Sequence, residues 1–376
     1  MRMEVFRKGF WMRGSVKSET SEVKGKIPIE LGYRIPAEWE KHEATWLGWP
    51  HNKEDWPGKI APIYWVYGEI AKKISEGENV HIIVESKEHQ QKAMKVLNDI
   101  GADLNNIKFF VLKTDRGWMR DSGPAFLKKD SGEISLVNFK FNGWAKYSNY
   151  KKDEKLPAFI SKKFNLQKFM PLHSGRQVCL EGGSIDINGK GTLITTEECL
   201  MDSEIQVRNP GFTKKDYEDV FRKYIGITNV LWFGAGIAGD DTHGHVDDLC
   251  RFVNEDTVVL VQEKNSSDSN YKALKENYER SESMLLENGS KLNIIYLPMP
   301  DSVIFRGERL PASYANFYIS NKYVLVPTFN DPKDRIALGI LSELFKDRIV
   351  AGIHSGDLIW GLGTIHCLTH EQPLQG

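Results

Sequence analysis

The chain has no apolar run of the roughly 18 residues that a membrane-spanning helix needs. Its opening stretch, MRMEVFRKGFWMRGSVKSETSEVKGK, holds no uninterrupted apolar segment of the kind a secretion signal carries. There are only four cysteines, Cys179, Cys199, Cys250 and Cys367, and no two form a CxxC pair. That spacing excludes a disulfide framework and points to a reducing, cytoplasmic setting. No charge sign is in surplus either, with 50 Lys and Arg against 51 Asp and Glu. Nothing global therefore draws the chain to nucleic acid or to an anionic membrane, and a small molecule is the expected partner. No Gly-rich phosphate loop follows a strand-like run, so nucleotide chemistry has no anchor. No Ser/Gly/Pro-rich linker or charge block interrupts the chain after residue 30. Residues 31–376 are thus expected to form one domain, preceded by a disordered, basic N-terminal extension over residues 1–30. The Arg and Ser of that extension also suit an organellar transit peptide, but Glu4, Glu19 and Glu22 oppose it.

What is present is an α/β rhythm, in which short apolar runs alternate with charged amphipathic stretches. NVHIIVES (79–86) reads as a strand, KEHQQKAMKVLNDIG (87–101) as a helix closed by Gly101, and NIKFFVLK (106–113) as a second strand. KKDYEDVFRKYIG and NYKALKENYERSESMLLENG read as helices ending in Gly. NVLWFG, DTVVLVQ, LNIIYLPMP and KYVLVPTF read as strands. Turns that abut strands recur near Trp46, Asp121, Glu181, His245, Ser313 and Ile365, 52 to 75 residues apart, which suggests about five similar modules.

Four stretches carry candidate chemistry. GLGTIHCLTH (361–370) places a thiol, Cys367, after a Gly-rich turn close to the chain end. GDDTHGHVDDLCRFV (239–253) offers Asp241, His243, His245 and Asp247; an extended backbone from Gly244 would put His245 and Asp247 on one face. DRGWMRDSGP supplies Trp118 and Asp121, and VCLEGGSID supplies Glu181 ahead of two glycines that allow close backbone approach. Two chemistries compete for this set. His243, His245 and Asp247 resemble the opening of a metal-dependent amidohydrolase, but only 131 residues follow His245, too few for the rest of a barrel of about 250. A planar cation suits the residues better. Carboxylates accept a guanidinium's forked N–H groups bidentately. Asp121 and Asp247 would hold such a group with its central carbon facing the Cys367 sulfur. A thiolate attacks that carbon through a covalent intermediate, and His245 serves the proton transfers. A non-catalytic guanidine-binding protein is the third reading, against which the intact Cys367, His245, Asp247 and Asp121 speak. Cys179, Cys199 and Cys250 read as core thiols, and His366 and Asn316 as structural residues.

The motifs PAEWEKHEATWLGWP, WMRDSGP, VNFKFNGW, LEGGSID, GTLITTEECL, DDTHGHVDDLCRFV, LPASYANFYI and HCLTHEQP, in this order from about Gly32 to Pro373, resemble the agmatine deiminase and bacterial-type peptidylarginine deiminase family of guanidino-group-modifying enzymes. The resemblance implies a five-bladed α/β propeller of ββαβ modules around a central pocket. It implies hydrolysis of agmatine, ahead of peptidylarginine or another guanidine, to N-carbamoylputrescine and ammonia, on the route to putrescine in polyamine biosynthesis, with no metal or organic cofactor and with the dimeric habit of the family. By that resemblance Cys367 is the nucleophile, His245 the general acid/base, and Asp247 and Asp121 the guanidinium clasp. Trp118, Glu181 and Asp241 are placed at the substrate pocket. The chain departs from the family pattern at Leu362 and Thr364 in the Gly-rich turn, at His243, over GWAKY (143–147), and at His370 and Glu371. These departures are expected at the pocket mouth, where substrate identity is set.

Overall fold

Five small sheets repeat one pattern in a computed structural model that describes residues 26–376. In each, a first strand pairs antiparallel with a second, and a helix then carries the chain to a third strand parallel to the second. Ala125–Lys128, Ile134–Val137 and Lys168–Phe169 make one such unit, with helix Leu156–Phe164 as the crossover. Asp186–Ile187, Thr192–Thr196 and Asn229–Phe233 follow, crossed by Lys214–Ile225. Next come Cys250–Phe252, Thr257–Gln262 and Asn293–Pro298, crossed by Tyr271–Ser281. Tyr318–Ile319, Tyr323–Thr328 and Ile349–His354 are crossed by Asp334–Leu344. The remaining unit takes its first strand, Thr369–Pro373, from the C-terminal end and its second, His42–Gly48, from the N-terminal side. Helix Ile60–Ser75 leads on to Asn79–Val84, and helix Lys87–Asp99 to an extra strand, Ile107–Val111. The landmarks at Trp46 and Ile365 therefore belong to one sheet, and six landmarks mark five units.

Local chemistry explains most of these elements. The middle strands are near-continuous apolar runs because crossover helices and neighbouring units cover both faces; Thr257–Val261 is buried throughout. Ser86 and Thr213 cap their helices by accepting from the His89 and Asp216 amides, and Gly226 closes the second of these helices at φ 76°. One expected element is shorter than its pattern. The helix read through Gly289 ends at Ser281, where a Ser-Glu-Ser run weakens helix propensity and the Ser281 hydroxyl donates back to the Tyr278 carbonyl.

Of the expected N-terminal extension, residues 1–25 lie outside the described residues. Its last residues are folded: Pro28–Leu31 form a short 3-10 helix against Lys214–Ile225, so the ordered chain begins before residue 31. Among the described residues no helix is long and apolar enough to cross a membrane.

Candidate active site

The turn leading into the first strand of each unit carries one of the residues that meet at the site. Asp121 sits in the short helix Met119–Ser122, and Glu181 precedes the 3-10 turn Gly182–Ser184. His245 and Asp247 lie at the turn Val246–Asp248, Asn316 precedes Tyr318–Ile319, and Cys367 lies in the helical turn Ile365–Leu368. One expectation changes here. The chain after Gly244 is not extended but a 3-10 turn, so His245 and Asp247 reach the site by different directions rather than along one strand face. His366 and Cys367 likewise share a helical turn, which sends the His366 ring into the site's polar framework.

Gly183 shows how tightly the groups converge. A Cβ built there would fall 2.6 Å from His245 Nδ1, 2.9 Å from Asp121 Oδ1 and 3.0 Å from Asp247 Oδ2, so no larger residue fits. Its own amide donates to Asp121 Oδ1 at 2.9 Å, and the Trp144 indole donates to Oδ2 at 2.8 Å. His245 lies with Nδ1 3.8 Å from Asp121 and Nε2 3.8 Å from Glu181, and its backbone amide donates to Asp240 at 2.9 Å. Asp247 Oδ2 accepts from His366 Nδ1 at 2.8 Å and lies 3.6 Å from Cys367 Sγ, while its buried Oδ1 has no partner. Asn316 Nδ2 donates to Cys367 Sγ at 3.1 Å; its Oδ1 accepts from the Thr364 hydroxyl at 2.7 Å and the His366 amide at 3.1 Å, which settles which end of the amide faces the sulfur.

The titrating groups oppose one another. Burial, with Asp247, Asp248 and Asp121 nearby, pushes the Cys367 thiol well above its ordinary range, against the pull of the Asn316 amide. Burial would make His245 less basic, but Asp121, Cys199 and Glu181 around it outweigh burial and raise its pKa well above the usual value. Asp121 is raised by burial. Asp247 is lowered because the His366 hydrogen bond and charge outweigh the cost of its burial. Glu181 is drawn down to about 2 because Arg208 likewise outweighs burial.

A pocket of about 360 Å³ opens onto Cys367, Asp121, Trp118 and Trp144, with Asp241 and Leu362 in its wall. Gly363 keeps the sulfur open, since a Cβ there would stand 3.2 Å from Sγ. Asp241 is already engaged, by Lys146 at 2.5 Å and the Tyr147 hydroxyl at 2.7 Å. Glu181 does not line this pocket. It stands behind His245 with both oxygens on Arg208, and borders a separate cavity of about 60 Å³ shared with Arg120, His370 and Glu371. His370 and Glu371 are thus not at the pocket mouth as expected: the His370 ring meets the Pro124 carbonyl at 2.5 Å and Glu371 pairs with Arg120 at 2.8 Å.

The alternative metal set is not brought together. His243 turns to Asp202 at 2.7 Å, and Asp247 faces His366. The trio that does converge among the described residues, Glu181, Cys199 and His245, has the Arg208 guanidinium on its carboxylate, a charge that repels a cation. Glu38, Asn316, Arg208 and His366 were not read as site residues. Asn316 and Glu38 do lie in the matched motifs LPASYANFYI and PAEWEKHEATWLGWP, but residue type alone marked neither as touching the site.

Fold and site define an α/β protein that presents the Cys367 thiol and the Asp121 carboxylate to a pocket, with the Asp247 carboxylate and the His245 imidazole adjoining them. The chain belongs to the Porphyromonas-type peptidyl-arginine deiminase family, whose model matches residues 34–373. Among its relatives is a Listeria monocytogenes protein provisionally named agmatine deiminase 2, 34% identical over 94% of this chain and 98% of its own. The solved agmatine deiminase of Enterococcus faecalis is similar at 28% identity, with a TM-score of 0.86 over 94% of this chain and 99% of that one. That of C. jejuni is similar at 26% identity, with a TM-score of 0.75 over 92% and 96%.

Proposed function

We propose that the protein hydrolyses agmatine to N-carbamoylputrescine and ammonia. The observation that carries this reading is the Cys367 sulfur 3.6 Å from Asp247, whose second oxygen is buried and without a partner, in a pocket whose two arginines are already paired. Arg116 is held by Asp55 at 2.6 Å and Arg309 by Asp268 at 2.9 Å. Arg120 pairs with Glu38 and Glu371 away from the pocket, and Arg306 lies over the Phe305 and Trp360 rings. Glu54 and Glu308, which also line the pocket, have no ion pair among the described residues. A stem ending in an ammonium suits this wall; one ending in arginine's carboxylate does not.

The guanidinium lies between Asp121 and Asp247, and its charge offsets the carboxylates that keep the thiol protonated, so binding favours the thiolate. The sulfur adds to the central carbon, and the C–N bond breaks as the His245 imidazolium gives its proton to departing ammonia. Water then adds to the amidino carbon, His245 takes a water proton, and cleavage of the C–S bond releases the ureido product and the thiolate. The five ββαβ units are proposed to stand as blades around this centre; the site residue carried by the turn before each unit's first strand supports that arrangement.

The test supplies agmatine, free arginine and a blocked arginine peptide separately, with EDTA present and Cys367→Ser as control. Ureido product from agmatine alone, absent in the variant, is expected. Product from the peptide alone would replace agmatine as substrate, and turnover only with added metal would overturn the thiol mechanism.

A further inference from the structure

One acid in the pocket wall differs from the rest. Asp241 is engaged by Lys146 and Tyr147. Glu54 and Glu308 are exposed, where water screens an ion pair until it contributes little. Asp55 lines the same pocket at only 5% exposure. Its Oδ1 accepts from Arg116 Nη1 at 2.6 Å, while its Oδ2 is buried and has no hydrogen-bond partner. An acceptor left unpaired in the interior is costly, and more so on an acid, so a donor that reaches Oδ2 is strongly favoured.

Its place suits a donor at the end of a stem. The Trp118 indole lies between Asp55 and Cys367. Its Cζ3 and the Cys367 sulfur stand 2.9 Å and 3.2 Å from where a Cβ on Gly363 would be, and its N–H edge faces Asp55 without completing a hydrogen bond. Charge agrees with place. Among the groups acting on Asp55, Arg116 is the cation, and Asp153 and Glu54 are further acids. The other partners of the Arg116 side chain are neutral: Asn149 at 3.2 Å and the Tyr147 ring at 3.8 Å. Burial, with Asp153 and Glu54, lifts the Asp55 carboxyl to about 7 against the pull of Arg116, so this corner is short of a cation.

We infer that Asp55 is the specificity-determining residue for the far end of the substrate: Oδ2 accepts from an ammonium on the alkyl stem while Oδ1 holds the Arg116 guanidinium aside. Resting on the deiminase reading, this leaves the guanidinium at Asp121 and Asp247 and gives the other end of the stem to Asp55. The class selected is alkylguanidines that end in an ammonium, over those that end in a methyl group, a carboxylate or a peptide.

The test measures binding by calorimetry in the full chain carrying Cys367→Ser, with agmatine and with butylguanidine, which has the same cation and stem but no ammonium. Agmatine should bind about 30-fold more tightly, and adding Asp55→Asn should bring the ratio to within about threefold. The ratio cancels any damage to the pocket that both ligands share. Equal binding in the parent overturns the inference alone; binding of neither ligand overturns the deiminase reading and the inference with it. A ratio that falls with Glu54→Gln or Glu308→Gln, and not with Asp55→Asn, moves the contact to an exposed acid and also overturns it. Asp55→Asn frees Arg116 as well, so Arg116→Met is added to it. A ratio that then recovers would mean that the freed guanidinium repels the ammonium and that the lost oxygen contributes nothing, which again overturns the inference. Should Asp55→Asn fail to fold, a crystal structure of the Cys367→Ser protein with agmatine decides: the ammonium nitrogen is expected within about 3.2 Å of Asp55 Oδ2, and its placement on any other acid overturns the inference.

Discussion

At the scale of single residues, the ionisation of Cys367 is decided by what touches its sulfur. In the free protein the thiol is raised, so iodoacetamide should modify Cys367 slowly at neutral pH and faster only well above pH 9, read by mass spectrometry of its peptide. Asn316→Asp keeps an acceptor for Thr364 and the His366 amide but replaces the N–H facing the sulfur. Loss of that bond, about 1.5 kcal/mol, should move the alkylation profile up by about one pH unit or more, and the added buried acid should lower the melting temperature. An unmoved profile would make Asn316 purely structural. His81 tests a different balance. It is buried among Trp46, Phe110 and Phe164 with neither ring nitrogen bonded, and burial lowers it to about 3. Below its ordinary value of 6.5 the unfolded chain binds a proton that the folded chain refuses, so stability falls as pH drops from about 6.5 towards 3. His81→Phe should lose that part of the acid sensitivity and show a higher urea midpoint than the parent at pH 4.5, with a much smaller difference at pH 7.5. The convergence of Cys367, His245, Asp247 and Asp121 was legible in the sequence because their types suit one chemistry. Asn316, Glu38 and His366 were not, because a hydrogen bond to a sulfur or a carboxylate leaves no mark on spacing.

At the scale of elements, three departures from the family pattern share a backbone cause. Leu362 (φ 67°), His243 (φ 63°), and Trp144 and Ala145 (φ 57° and 53°) all occupy the left-handed region. That region costs an L-residue about 1–2 kcal/mol and favours Gly, or Asn and Asp. The loops thus keep a glycine's conformation under larger side chains. Ala145→Gly should raise the melting temperature, by the equivalent of about 1 kcal/mol, since it relieves strain at the loss of one methyl group. Leu362→Gly should not, because Leu362 also packs against the cluster of Leu310, Ala312 and Ile359, and relief there is offset by lost burial. A rise of equal size in both would show that the packing contributes nothing. Helix and strand identities were largely readable from periodicity and Gly stops. The turns at Val246–Asp248 and Ile365–Leu368 were not, since runs of three or four residues are too short to show a period.

For the whole molecule, the decisive contact joins the two ends of the described chain. Thr369–Pro373 lies antiparallel on His42–Gly48, with Trp46 opposite His370 and the Trp46 indole donating to Gln372 at 3.0 Å. The strand continues directly from the turn that holds Cys367. Removing residues 369–376 should therefore unpair the middle strand of that sheet and release the turn that carries Cys367. The expected outcome is loss of turnover together with a melting temperature lowered by many degrees; an unchanged melt would show that the sheet stands without its closing strand. The alternation of apolar runs and amphipathic stretches, the count of five modules, and the types of the groups that converge at the site were determined by the sequence itself, because hydrophobic periodicity and side-chain chemistry are local properties. Tertiary structure alone decided which unit owns each turn, that His370 and Glu371 face a second cavity, and that Glu38 reaches His366 from 328 residues away. Burial brings such charges together at distances where their pairing is strong, and no pattern along the chain encodes which distant partner each will meet.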